Sequence, residues 1–117
     1  MKTPGMAATP AAAILEASVT ALEWWESKNL SIDDFLESDA ALQEYRRSIA
    51  GTVFLYFRNK LFIDRLLKRR LVQRPRQELL HILRIALTQA LFSTSIAPEV
   101  AVSVAVDAAE MKSGKGA

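Results

Sequence analysis

Residues 76–92, RQELLHILRIALTQALF, constrain the fold more tightly than any other part of the chain. Gln77, His81, Arg84 and Thr88 recur at i, i+4, i+7 and i+11, drawing one narrow polar stripe along a helix. Nearly every other residue from Leu79 to Phe92 is apolar. A helix with so little polar surface predicts the most buried element, the centre of a bundle. Arg74-Pro75 marks the break before it, because proline lacks a backbone donor and disfavours a helical residue ahead of it.

The rest of the chain supplies helices to surround that centre. From Pro10, the residues Ile14, Leu15, Val19, Leu22 and Trp25 recur at helical spacing, with residues 1–9 as a leader. Ser31 is placed to cap a short helix, with Asp34 three residues on and Asp33 beside it near the positive end of the helix dipole. Asp39 is placed to cap the helix running through ALQEYRRSIAGTVFLYFRNK, whose inward face is Tyr45, Ile49, Val53 and Tyr56. Gly51 lies inside it at a cost of about 1 kcal/mol relative to alanine. Either another helix approaches closely there, or the glycine is tolerated without purpose. LFIDRLLKRR continues as helix after a bend near Asn59.

APEVAVSVAVDAAE, residues 97–110, is ambiguous by period. Val100, Val102, Val104 and Val106 alternate as in a strand, but a lone strand among helices has no partner. Pro98 suits a first helical turn. On a helix Val100, Val104 and Ala108 share one face, so the reading is a buried Ala/Val helix. The 117 residues, half of them hydrophobic, fit one globular domain over residues 10–117. The expected fold is all-α, a bundle of about six helices.

Several kinds of chemistry are excluded. The chain has no cysteine, hence no disulfide, thiolate metal site or thiol nucleophile, and its one histidine argues against structural zinc. GKGA is too short for a phosphate loop and has no strand before it. Adjacent residues on a helix point apart, so Asp33 and Asp34 read as helix-start electrostatics rather than a catalytic pair. His81 reads as a surface or internal hydrogen-bonding residue. Trp25 reads as core and Trp24 as partly exposed, with a stacking platform as the alternative. No apolar run reaches the roughly 18 residues of a membrane span, and Lys2 alone is a poor signal-peptide head. A soluble cytoplasmic protein is expected.

Charge is unevenly distributed. Residues 1–44 carry two bases and eight acids, a net of −6, whereas residues 45–76 carry ten bases against Asp64 alone, a net of +9. If residues 45–70 form one continuous helix, Arg47, Arg58, Arg65 and Arg69 fall within about 40° of one another, opposite the Tyr45/Tyr56 face. Lys68, Arg70, Arg74 and Arg76 cluster at its end, and Arg46 stands beside Arg47 at its start. Such a row could follow a phosphate backbone. It could equally be the solvated face of an amphipathic helix, neutralised by the acidic first third, and a bend at Asn59 would break the row.

Taken together, Leu83-Arg84, Gln89-Ala90-Leu91-Phe92, Pro98 and the run Ala101 to Ala109 form a pattern. Upstream, Asp39, Gly51, Phe57-Arg58 and Asp64 fit the same pattern. It resembles the NusB-type RNA-binding fold, in the version at the N-terminus of Sun/RsmB-type ribosomal RNA cytosine-C5 methyltransferases, over about residues 11–117. Two features depart from it. Ser103-Val104 stands where that family often has Asn-Glu, and the chain stops at SGKGA where the family continues into another helix. Either the chain is a truncated fragment or that final element is missing; if the last helix is absent, the valines of 100–106 are expected to be left open.

The resemblance implies an accessory module and not an enzyme. Methyltransferases of this type use cysteines and an S-adenosylmethionine domain, so that cofactor would belong to a catalytic domain outside this chain. The implied partner is RNA, of ribosomal origin in view of the family, with Arg46, Arg47, Arg58, Arg65, Lys68, Arg69, Arg70, Arg74 and Arg76 as the binding set. The alternative is an antitermination factor or interaction module acting with a ribosomal protein, docked on helix 98–112 or on the acidic first third. A domain that only steadies a neighbouring methyltransferase domain is a third reading.

Overall fold

The computed structural model describes residues 9–28, 31–38, 40–73 and 75–112. Among them the chain forms α1 (Pro10–Lys28), α2 (Ile32–Glu37), a 3-10 turn (Ala40–Tyr45), α3 (Arg46–Arg58), α4 (Lys60–Arg70), α5 (Gln77–Phe92) and α6 (Pro98–Lys112), with no strand. The all-α bundle of six helices is the one expected. The proposed leader, apart from Thr9, and the capping role of Asp39 lie outside the described residues.

The central place of α5 follows from its composition. It packs against α1, α3, α4 and α6. Eight of its sixteen residues are buried, and these include His81, Arg84 and Thr88, so the polar stripe itself faces inward. Around it stand Leu15, Val19 and Leu22 of α1, Phe35 and Leu36 of α2, Ile49 and Val53 of α3, and Ile63 and Leu67 of α4. Each such side chain contributes roughly 1.5–3 kcal/mol by leaving water.

Local chemistry sets the helix boundaries. The Thr9 hydroxyl accepts from Ala12 N–H at 3.1 Å, and the Ser31 hydroxyl accepts from Asp34 N–H at 3.1 Å. Each cap of this kind stabilises its helix by about 1 kcal/mol.

The helix expected from Asp39 begins instead as a 3-10 turn. Its three-residue period stacks Leu42 above Tyr45, and both are half-buried against the core. The bend at Asn59 is present: its φ of −111° and ψ of 18° leave the helical region, and its side-chain amide donates to the Leu55 carbonyl at 3.0 Å.

Two expectations are corrected. A Cβ at Gly51 would meet nothing within 4 Å, so no helix approaches closely there. In α6 the most buried residues are Ala101 and Ala105, with Val104 and Ala108 beside them, whereas Val100 is 44 % exposed. The helix lies at the margin of the bundle, chiefly against α5 and α1. Its small alanines turn inward, which leaves Val100, Val102 and Val106 open to solvent.

The tryptophans are both half-buried. Trp24 meets Phe35 edge-on at 5.3 Å, and Trp25 meets Phe57 at 4.8 Å. Trp25 is thus less enclosed than a core residue, because α1 nears its end there. Among the described residues no helix is long and apolar enough to cross a membrane.

Candidate nucleic-acid interface

The basic residues of α3 and α4 divide by what they touch. Arg46 lies between Asp33, at 3.9 Å, and Glu37, at 3.7 Å, so it joins α3 to the carboxylates of α2. Arg47, Arg58, Arg65, Lys68, Arg69 and Arg70 are exposed, and among the described residues none has an ion-pair partner. Arg76 is exposed but has an interaction partner. Arg74 lies outside the described residues. Neutralisation by the acidic first third therefore reaches Arg46 and leaves those six cations unpaired.

Interruption at Asn59 resolves the continuous arginine row into two pairs. Arg47 and Arg58 are eleven positions apart on α3, which returns them to within about 20° of one another. Arg65 and Arg69 are four apart on α4, within about 40°. Leu61, 76 % exposed, and Phe62, 55 % exposed, lie on the same open side of α4. Phe62 also meets Phe92 of α5 edge-on at 5.9 Å. The α4 surface thus combines cations with exposed apolar groups.

The inward polar stripe of α5 builds a separate cluster. Arg84 donates through Nε to Asp64 Oδ1 at 3.1 Å and through Nη1 to Glu26 Oε2 at 3.3 Å. Tyr56 donates its hydroxyl to Asp64 Oδ1 at 2.9 Å, and Lys60 Nζ donates to Asp64 Oδ2 at 3.0 Å. Gln77 Nε2 donates to Glu26 Oε1 at 2.6 Å, and His81 Nε2 is 3.3 Å from that same oxygen. The Arg84 guanidinium also stands 5.8 Å from the centre of the Tyr56 ring, at cation–π range.

These contacts fix the protonation states. Burial alone would raise the Asp64 carboxyl, but hydrogen bonds from Lys60 and Tyr56 and the Arg84 charge outweigh it and hold its pKa below the usual range. The same holds for Glu26, where Gln77, His81 and Arg84 overcome burial. Burial raises the Tyr56 phenol, which keeps it a donor, and burial together with Arg84 lowers the His81 imidazole despite Glu26. The cluster's donors and acceptors are largely spent on one another, although Asp64 and Arg84 also line a cavity of about 420 Å³ and Glu26 stays open to solvent. Nothing local to Arg84 in the sequence announces it, since Glu26 is 58 positions away and Asp64 is 20. Among the described residues no group of acids and histidine is arranged to hold a metal ion.

Two of the grooves on the surface bear on binding. One, of about 740 Å³, runs between the first turn of α1, the Arg47–Leu55 side of α3 and the end of α5 with residues 93–96. The other, of about 430 Å³, lies between α5 and α6 and is walled by Leu79, Leu83, Leu87, Val102 and Val106. The exposed valines expected from the sequence thus form one side of an apolar furrow.

Comparison with curated proteins gives no match, and neither does comparison with solved structures. The family model that matches the chain, over residues 10–117, is that of the NusB family.

Proposed function

The chain belongs to the NusB family, and from that premise we propose that it is an RNA-binding accessory module. In this reading it positions ribosomal RNA for a catalytic domain carried elsewhere, as the Sun/RsmB-type resemblance implies, and S-adenosylmethionine would belong to that domain. Domains of this family bind RNA. The observation that carries the proposal is the set of unpaired cations on α3 and α4, Arg47, Arg58, Arg65, Lys68, Arg69 and Arg70. Leaving that many like charges without partners repels within the fold, and a phosphate backbone relieves it.

The test is fluorescence anisotropy of a labelled ribosomal RNA hairpin at about 50 and 200 mM salt. Binding should weaken steeply with salt, because each phosphate contact releases counterions. A flat signal from the folded chain at both salts would sink the autonomous RNA-binding reading.

A second reading rests on the furrow between α5 and α6. An apolar surface of that shape suits a protein partner, as in an antitermination module acting with a ribosomal protein. It predicts RNA binding that appears only when the partner is added.

A further inference from the structure

We propose that the groove between α1, α3 and the end of α5 takes one unpaired base of an RNA strand, read at its edge by the Gln89 amide. This rests on the RNA-binding reading and deepens it, from a surface that follows phosphates to one that distinguishes bases.

The first observation is Gln89 itself. It is 4 % exposed and lines the groove, and among the described residues its side-chain amide has no hydrogen-bond partner. The amide is not sealed off: Ser18 Oγ is the buried side-chain atom left without a partner among the described residues, whereas the Gln89 atoms retain an opening to the groove. A primary amide offers a donor and an acceptor side by side. That pair complements the adjacent donor and acceptor on the edge of a nucleobase.

The second observation is Gly51. It faces the same groove in mid-helix, where glycine lowers stability and no neighbouring atom requires it. A larger side chain there would project into the groove and narrow it. The missing side chain keeps the space open.

The other lining residues suit the same ligand. Ser48, Thr52 and Ser93 bring hydroxyls, Phe92 is the aromatic member, and Arg47 stands on the wall without an ion-pair partner. No carboxylate lines the groove among the described residues. Its volume is within the range of small-molecule sites, ample for a nucleoside. Phe92 touches Phe62, which lies one helical turn before Arg65 and two before Arg69. A strand with one base in the groove can therefore run over Phe62 onto the cations of α4. Sequence-specific RNA recognition works in this way, with splayed bases held at their edges beside aromatic rings.

The test uses fluorescein-labelled oligoadenylate, oligocytidylate and oligouridylate of about twelve nucleotides, with anisotropy read at two salt concentrations. The wild-type chain should separate the three by about tenfold, the discrimination of one bidentate contact. Gln89→Met keeps the shape and removes the hydrogen bonds; it should compress that spread to about twofold with the salt slope unchanged. Gly51→Leu should narrow the groove beside Gln89 and shrink the preference while helicity by circular dichroism is retained. The Arg65→Ala, Arg69→Ala double variant should weaken all three ligands alike and keep the spread. A spread that survives both Gln89→Met and Gly51→Leu, or no spread in the wild type, overturns the base pocket while the phosphate surface stands. If the folded wild-type chain binds none of the three at low salt, the RNA-binding reading falls and the pocket with it.

Discussion

Arg84 Nη1 lies 3.3 Å from His81 Nδ1, so the imidazole turns an unprotonated nitrogen toward a guanidinium. An arginine can only donate, and Nδ1 must therefore accept. The ring proton then sits on Nε2, facing Glu26 Oε1 at 3.3 Å. A neutral His81 in this tautomer satisfies both neighbours, and a second proton would be driven against Arg84.

Stability should consequently fall as the solution is acidified through the histidine range. The folded-state pKa of His81 lies below its ordinary 6.5, owing to burial and to Arg84. The unfolded chain then binds the proton more readily, so stability is present above about pH 6.5 and drains away below it. Urea midpoints should drop between about pH 7.5 and 5.5 in the wild type, and much less in His81→Gln. Equal drops in both would assign the effect to other groups. Glu26 and Asp64, held below their ordinary values of 4.5 and 3.8, act at lower pH, where protonating them removes a further contribution.

Removing the guanidinium should be more damaging than any surface change. Arg84→Met leaves the Glu26 and Asp64 carboxylates, both still partly open to solvent, without their shared cation, a loss of about 1–3 kcal/mol. Arg84→Lys should recover little of it, because a single ammonium cannot span Asp64 and Glu26 in the fork geometry seen here. Denaturant unfolding of the two variants measures the difference. Full recovery by lysine would mean that charge alone, without the fork, holds the cluster.

Gly51→Ala should stabilise the fold. The added methyl meets nothing within 4 Å, and the helix gains the roughly 1 kcal/mol that separates alanine from glycine. The melting temperature should rise by several degrees. A lower value would reveal strain that the open space around this position does not suggest.

Arginines should separate into two groups in RNA binding. Arg65→Ala with Arg69→Ala should reduce the salt slope by about two, one for each phosphate contact. Arg46→Ala should change it little, because Arg46 is already held by Asp33 and Glu37. Its loss should appear in stability instead, by well under 1 kcal/mol for so exposed a pair. Equal slopes for the two variants would mean that RNA displaces the α2 carboxylates.

How far the sequence could be read depended on the range of the interaction. The position of α5 was legible because burial writes itself into local period, and Ser31 was legible because a cap needs only three residues. The partners of Arg84 were not, since they come from α1 and α4 and only folding brings them together. Gln89 stood in a motif that the resemblance supplied, but its lack of a partner is a property of the packed state. The inward face of α6 was misjudged by one position along the helix: Ala101, and not Val100, begins it. Periodicity places apolar residues on a side, and neighbouring helices decide which edge of that side is covered. The row of arginines failed for a similar reason, since one residue leaving helical geometry at Asn59 resets the register beyond it.

The ion cluster draws residues from α1, α3, α4 and α5, and none from α6. That omission divides the molecule into two tiers of protection. Helix α6 packs on α5 and α1 without sharing in the cluster, so its opening need break none of the cluster's hydrogen bonds. Its amides should exchange with solvent deuterium well before those of α5. Each such opening would bare the far wall of the apolar furrow, and a partner that prefers the bared surface could be admitted without unfolding the rest.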